Sequence, residues 1–402
     1  SALELMSTTS LGSFNMAPKP SGEKQGPPPV VQKVLSLFGS KREEDKMVGY
    51  LSFLKVGPKL LKFVPGKKAQ DLKHWLTVYG YWNQGGLSNV TSMFLYLLDA
   101  YRLQPAVAPP EPVVETPALG CLHPAYRGGK EYFETPAQYM AWYRREGPLR
   151  GRPDAPVAAV LLYRKHVVTE QPYIEQLVRQ MEGEGVVPVP IFINGVEAHT
   201  VVRDLLTTQH EQANLAKGIT GGISPTLRTR DAATVDAVIS TIGFPLVGGP
   251  AGSMEGGRQA DVAKGILASK NIPYVVAAPL LIQDMASWTR DGIAGLQSVV
   301  LYSLPELDGA IDTVPLGGLV GDAIFLVPER VKKLAARVRR WVALRRKPPA
   351  ERRVAVLLYG FPPGVGATGT AALLNVPRSL QGLFSRLRGA GYNLGVGDAD
   401  AP

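Results

Sequence analysis

The sequence predicts an α/β protein: a small all-helical N-terminal domain, then a doubly wound parallel α/β sheet, then the start of a second α/β unit. Three observations carry this. From Val30 to Leu103 the apolar residues recur at helical spacing. After Pro156, short Val-, Ile- and Ala-rich runs alternate with helical segments, the pattern of strands covered on both faces. A further strand-like run opens at Arg352 and leads into another helix.

Residues 1–28 are rich in Ser, Pro, Gly and Lys without periodicity, and are expected to be disordered. The helical domain covers 29–104. Leu51, Leu54, Pro58, Leu61 and Val64 form one stripe, and Leu72, Trp75, Leu76 and Tyr79 another. A third helix, "LSNVTSMFLYLLDAYRL", is expected to start at a Ser88 N-cap. Residues 105–155 read as a Pro-rich linker ending in a short helix at "TPAQYMAWYRRE".

The α/β domain covers 156–327. Its strands are "VAAVLLY", "VPVPIFI", "VDAVISTIG" and "PYVVAAPLL", separated by the helices "YIEQLVRQMEGEG" and "GGRQADVAKGILASKN". Runs this short, joined by helices, form an open sheet of the Rossmann/flavodoxin-like kind. The stretch "TTQHEQANLAKGITGGISPTLRTRDAAT" between the second and third strands reads as an insertion loop. The remaining region, 328–402, holds a basic helix from Pro328 to Arg346, with Val331, Leu334, Val338, Trp341, Val342 and Leu344 available to pack. The strand "RVAVLLYG" and the helix "PRSLQGLFSRLRGAGYN" follow. A lone βα unit cannot cover both faces of its strand, so it either docks on the preceding sheet or belongs to a longer protein.

Composition narrows the function classes. A single cysteine, Cys121, excludes an internal disulfide framework and leaves too few thiolates for a structural zinc site. That fits a reducing compartment. The net charge of +10 favours anionic partners. The excess is concentrated in 328–353, with eleven Lys or Arg against two Glu. No apolar run reaches the roughly 18 to 20 residues of a membrane span, and no signal-peptide pattern is seen, so membrane contact is at most peripheral. No aromatic platform accompanies the basic helix, and no nucleic-acid partner is expected.

Several segments qualify as sites. Gly364, Gly366 and Gly369 spell GxGxxG, and Thr370 stands where a Walker loop has lysine. Phe361, Pro362 and Pro363 separate the strand from the first of these glycines, and no acidic residue follows at the ribose-binding distance. Three readings stay open: a nucleotide loop, a plain strand-to-helix turn, or a nest of N–H groups around Gly366, Gly369 and Thr370 for a carboxylate. A second Gly-rich loop, Gly243 to Gly257, contains Gly248 and Gly249, with Arg258 just beyond it. It follows the third strand, where a doubly wound sheet has its ligand crevice. Glu306 and Asp308, with Asp312, are paired carboxylates suited to a metal or to proton transfer, or simply to capping a turn. The five histidines have no ligand spacing; His123, in a loop beside Cys121, is the one with a promising position.

The segments "GKKAQDLKHWL", "LHP", "GFPLVGGPA", "IPYVVAAPL", "LPELDGAI" and "RRWVALRRKPPAERRVAVLLYGFPPGVGATGTAALLNV" resemble, in order, the large porphyrin-binding H subunit of magnesium chelatase. Cobaltochelatase large subunits are more distant likenesses. The resemblance implies insertion of Mg²⁺ into protoporphyrin IX, in chlorophyll biosynthesis, with ATP hydrolysed on separate AAA+ subunits of the I and D type. It implies that the 364–370 loop binds no ATP. The porphyrin would sit against Gly248, Gly249, Arg258, Gly364, Gly366, Gly369 and Thr370. It implies a chloroplast stroma for a plant or algal source and cytoplasm for a bacterial one. The family's large chain is much longer, its metal-delivery positions lie outside the part matched, and residues 208–231 have no counterpart. Autonomous catalysis is therefore not expected. A truncated paralogue that binds tetrapyrrole or a chelatase subunit as a regulator is the alternative, and an NAD-dependent oxidoreductase requires the 364–370 loop to hold a dinucleotide.

Overall fold

The structure, a computed structural model, describes residues 67–101, 108–126, 132–194, 198–219, 226–247, 256–360 and 374–395. The expectations for 1–28 and for the Leu51 to Val64 stripe lie outside them. The chain divides into two compact units, one of residues 1–118 with 164–171, the other of 119–163 with 172–402.

The described part of the first unit is built on two packed helices. Helices α1 (Lys67–Gln84) and α2 (Leu87–Ala100) pack through Val78, Tyr81, Met93 and Leu97. The tight connection needs Gly85 and Gly86, whose φ of 69° and 82° lie in the left-handed region that favours glycine. Gly86, rather than Ser88, therefore holds the cap position, and Ser88 falls inside the first turn. Asn89 binds the extended strap that follows: its amide donates to the Val114 carbonyl at 2.9 Å and its oxygen accepts from the Val114 N–H at 2.8 Å.

The second unit is built on a six-stranded sheet in the order β1-β3-β2-β6-β7-β8. Its strands are β1 (Leu119–Cys121), β2 (Val157–Tyr163), β3 (Val187–Ile193), β6 (Ala237–Ser240), β7 (Tyr274–Val276) and β8 (Asp312–Thr313). Two minor strands, β4 (Leu206–Thr207) and β5 (Ala233–Thr234), pair with each other. Every pairing in the main sheet is parallel except that of β1 with β3. The first parallel strand, β2, lies between β3 and β6, which is the flavodoxin-like order. All of β3 and the middle of β2 are buried, as continuous apolar runs require.

Helices α3 (Pro136–Glu146), α4 (Tyr173–Gly183), α5 (Ala198–Asp204), α6 (Gln209–Ala216) and α7 (Gly256–Lys270) cover the strands, with α8 (Met285–Asp291) after β7. A hairpin of β9 (Gly317–Val320) and β10 (Ala323–Leu326) leads into α9 (Pro328–Arg346), which packs on α4. Gly317 is required there, since a Cβ would sit 1.9 Å from the Phe325 carbonyl oxygen. Helix α9 starts with Pro at its first position and buries Val331, Leu334, Ala335, Val338 and Val342, an i, i+3, i+4 stripe.

Four expectations need correction. Residues 119–155 are no linker: β1 extends the sheet, and α3, capped by the Thr135 hydroxyl accepting from the Gln138 N–H, buries Tyr139 and Tyr143 in the main core. The stretch read as an insertion loop contains α6, whose Glu211 is fully buried against Lys270. Trp341 and Leu344 do not join the α9 core but stay 37 % and 44 % exposed. Residues 353–360 form no strand: they run exposed, because none of the described strands offers them a partner. The helix expected after them is present as α10 (Val376–Gly389), capped by Asn375.

Candidate functional site

In a doubly wound sheet the ligand crevice lies outside the carboxyl ends of the strands, where the strand order reverses. Here that point falls between β2 and β6. The chain leaving β6 is held at once: Thr241 donates to the Leu161 carbonyl from its N–H at 3.0 Å and from its hydroxyl at 2.9 Å. Gly243 follows at φ 76°, where a Cβ would come within 2.7 Å of Leu301. Leu301 belongs to a π-helical turn, Val299–Ser303, a local form often found at functional sites. Tyr302 of the same turn donates to the Ala278 carbonyl at 3.3 Å, just beyond β7. The loops after β6 and β7 and the π-turn therefore form one ledge at the switch point.

Asp308 fixes the outer part of that ledge. Its carboxylate accepts the Val247 N–H at 3.3 Å, and the Leu246 carbonyl accepts from the His199 N–H at 3.1 Å. Burial raises the Asp308 pKa, against the N–H groups of Val247 and Leu246 and the charge of Lys264. The carboxylates expected to work as a pair are thus separated. Asp308 is buried as a loop anchor, Glu306 is exposed, and Asp312 forms an ion pair with Arg337 at 2.6 Å. Among the described residues no group of three or more His, Cys, Asp or Glu is placed to hold a metal ion.

The structure places Arg258 on the first turn of α7, immediately after the glycine loop. Gly248, Gly249, Gly364, Gly366, Gly369 and Thr370 lie outside the described residues.

His123 is part of a network rather than a lone ligand. Its Nδ1 accepts the Ala125 N–H at 3.1 Å, so the proton is on Nε2, which donates to Glu182 Oε1 at 3.0 Å. The Tyr143 hydroxyl donates to the same oxygen at 2.7 Å. Beside it lies an open cleft of about 690 Å³ walled by Tyr126, Phe133 and Trp142, with Arg145 at its edge. The sequence reading missed Glu182, because it sits in a helix that looks amphipathic and solvated. Only His123, in the "LHP" loop beside Cys121, marked the region.

Fold and site together define a doubly wound α/β domain with its ligand ledge at the carboxyl edge of the sheet. The sequence model of the family CobN/Magnesium Chelatase matches residues 79–401, and that of a domain of unknown function, DUF3479, matches residues 1–76. The chain belongs to the CobN/magnesium chelatase family. It is 36 % identical over 393 residues to the magnesium-chelatase H subunit of Chlorobaculum parvum, covering 98 % of this chain and 28 % of that protein. It is 30 % identical over 407 residues to the chloroplastic magnesium-chelatase ChlH subunit of Oryza sativa subsp. indica, covering 97 % of this chain and 26 % of the relative. The catalytic subunit of cobaltochelatase from Mycobacterium tuberculosis shares the fold, with a TM-score of 0.51 and 21 % identity over 98 % of this chain and 31 % of that one. The chain therefore spans little more than a quarter of the length of the two magnesium-chelatase relatives. No helix among the described residues is long and apolar enough to cross a membrane.

Proposed function

We propose that this chain is part of the porphyrin-binding large subunit of a magnesium chelatase, which inserts Mg²⁺ into protoporphyrin IX in chlorophyll biosynthesis. The observation that carries this reading is the match to a magnesium-chelatase H subunit over 98 % of the chain. ATP is hydrolysed on AAA+ partner subunits of the I and D type, not on this chain. The compartment is the chloroplast stroma for a plant or algal source and the cytoplasm for a bacterial one.

Protoporphyrin is a flat apolar ring with two propionates, so its site needs an apolar surface bordered by donors. Backbone N–H groups around Gly248 and Gly249, and the Arg258 guanidinium, would receive one propionate. Those around Gly366, Gly369 and Thr370 would receive another. Glycine suits such positions because the backbone can approach the anion without a Cβ in the way. The ledge of Gly243, Ala278 and Leu301 would supply apolar contact. This chain's part is then to bind and orient the ring. The groups that deliver the metal and remove the two pyrrole protons are assigned to other regions of the large subunit.

The test is titration of the chain with a soluble porphyrin, followed by tryptophan quenching, with Gly366→Leu and Gly369→Leu as variants. Saturable micromolar binding that the two substitutions weaken supports the assignment. Absence of porphyrin binding at the glycine loops overturns it and leaves the chain a scaffold or regulator.

A further inference from the structure

The C-terminal half of α9 and the turn after it carry charge that the described fold does not use. Across residues 339–353, "RRWVALRRKPPAERR", seven Lys or Arg stand against one acid, Glu351. Two of the seven are matched, Arg339 by Glu184 at 3.5 Å and Arg346 by Asp236 at 3.2 Å. Arg340, Arg345, Lys347 and Arg353 are exposed, and none of them, nor Arg352, makes an ion pair with a described residue. Asp236, the acid that acts on Arg345, is already engaged by Arg346 and by the Val157 N–H. Cations in a last helical turn suit the helix dipole, which accounts for Arg345 and Arg346. It does not account for Arg352 and Arg353 beyond the helix end, or for the apolar groups beside them.

Those apolar groups line an open cleft of about 570 Å³ at the amino end of β7 and β8. Ile311, just before β8, and Trp341 and Leu344 of α9 stay 53 %, 37 % and 44 % exposed. Trp341, Leu344 and Arg345 stand at i, i+3 and i+4 and so share one face of the helix. Arg345 and Arg352 edge the same cleft, and the Lys347 carbonyl, accepting from Arg352 Nε at 3.0 Å, holds that guanidinium in place. Exposed Trp and Arg around an apolar slot are the composition of an interface hot spot. Size decides between ligand classes. Between residues 339 and 346 the helix rises about 10 Å, and the charge continues to Arg353, so one small anion would leave most of these cations unmatched. A nucleic acid would match the charge but not the slot, whose lining has one aromatic ring, Trp341, and no succession of stacking platforms.

We propose that this face of α9 is a docking surface for an acidic, apolar-anchored segment of a partner protein. The anchor, a large aliphatic or aromatic side chain, fills the cleft between Ile311, Trp341 and Leu344. Asp or Glu residues beside it pair with Arg345 and Arg352, and further acids meet Arg340, Lys347 and Arg353. Charge complementarity selects the occupant, since a row of cations without acids of their own takes a segment rich in carboxylates and repels basic ones.

The experiment measures fluorescence anisotropy of short labelled peptides added to the full chain at about 0.1 M salt, where exposed charges more than about 10 Å apart are largely screened. One peptide carries a central Leu-Phe pair flanked by glutamates. A second has Ala in place of the pair, a third has Gln in place of the glutamates, and a single-stranded oligonucleotide matches the charge of the first. The chain is compared with Arg345→Glu, Trp341→Ala and Lys332→Gln, each checked for unchanged circular dichroism. The anchored acidic peptide is expected to bind at least about tenfold more tightly than the other three probes. Arg345→Glu and Trp341→Ala should each weaken it about tenfold. Lys332→Gln, about 13 Å along the helix from Trp341, should leave it unchanged. Failure of the anchored acidic peptide to bind overturns the proposal, as does equal affinity for the anchorless peptide or the oligonucleotide, or affinity indifferent to Arg345→Glu and Trp341→Ala. The rival occupant is a second copy of the chain: a concentration-dependent dimer in analytical ultracentrifugation that Arg345→Glu dissociates would also refute it.

Discussion

Replacing Glu211 by Gln isolates the most heavily buried ion pair among the described residues. The Lys270 ammonium is surrounded by acceptors: the Leu206 carbonyl at 2.7 Å, the Arg203 carbonyl at 3.1 Å, and both Glu211 oxygens at 2.8 Å. Glu211 also accepts from the Thr207 hydroxyl at 2.9 Å. Desolvation lowers the Lys270 pKa, and the bond and charge of Glu211 oppose that shift. Both side chains are essentially inaccessible, at 1 % and 0 %. Removing one partner leaves an uncompensated charge, which costs about 3–5 kcal/mol. For a domain of this size each kcal/mol lowers Tm by about 2–4 °C, so a fall of about 6–20 °C is expected. Replacing both residues, Glu211→Leu with Lys270→Met, should recover most of the loss, because no buried charge then remains. Differential scanning calorimetry of Glu211→Leu, Lys270→Met and the double variant measures the coupling. Additive losses in the double variant would refute the argument.

Acid should weaken the chain through His166, whose pKa burial lowers to about 4, helped by Lys165. Its folded value lies below the unfolded one, so the unfolded state takes up the proton first and stability falls as pH drops from about 6.5 toward 4. The total is about 3 kcal/mol. His166→Gln should flatten that part of a urea-denaturation pH series, and an equal slope in the variant would count against the assignment. Glu182→Leu strands the buried donors of His123 and Tyr143 and should cost about 2–6 kcal/mol, at about 1–3 per donor. Glu182→Gln keeps an acceptor oxygen and should cost less than half of that by urea titration. Gly317→Ala places a methyl group onto the Phe325 carbonyl and should reach or pass the roughly 1–3 kcal/mol of an overpacked core. Amide exchange in β9 and β10 would show whether the hairpin opens.

By itself the sequence determined the periodicities and the punctuation. The apolar runs of β2 and β3 and the full span of α9, from Pro328 to Arg346, were legible because burial on both faces and an i, i+3, i+4 stripe leave direct traces in residue order. The family was legible as well, from ordered segments rather than from any one motif. Tertiary structure decided what depends on pairing between distant residues. β1 could not be read, since three residues become a strand only when β3 presents an edge. Residues 353–360 show the converse: a strand-like run stays unpaired where no described edge receives it. Asp308 looked like half of a carboxylate pair with Glu306, yet two residues of separation on a short helical turn send one inward to Val247 and the other to solvent. Trp341 and Leu344 matched an apolar stripe, but helix α9 has one buried face, already filled by Val338 and Val342. Local spacing says which residues share a face; only the packed chain says which face is covered.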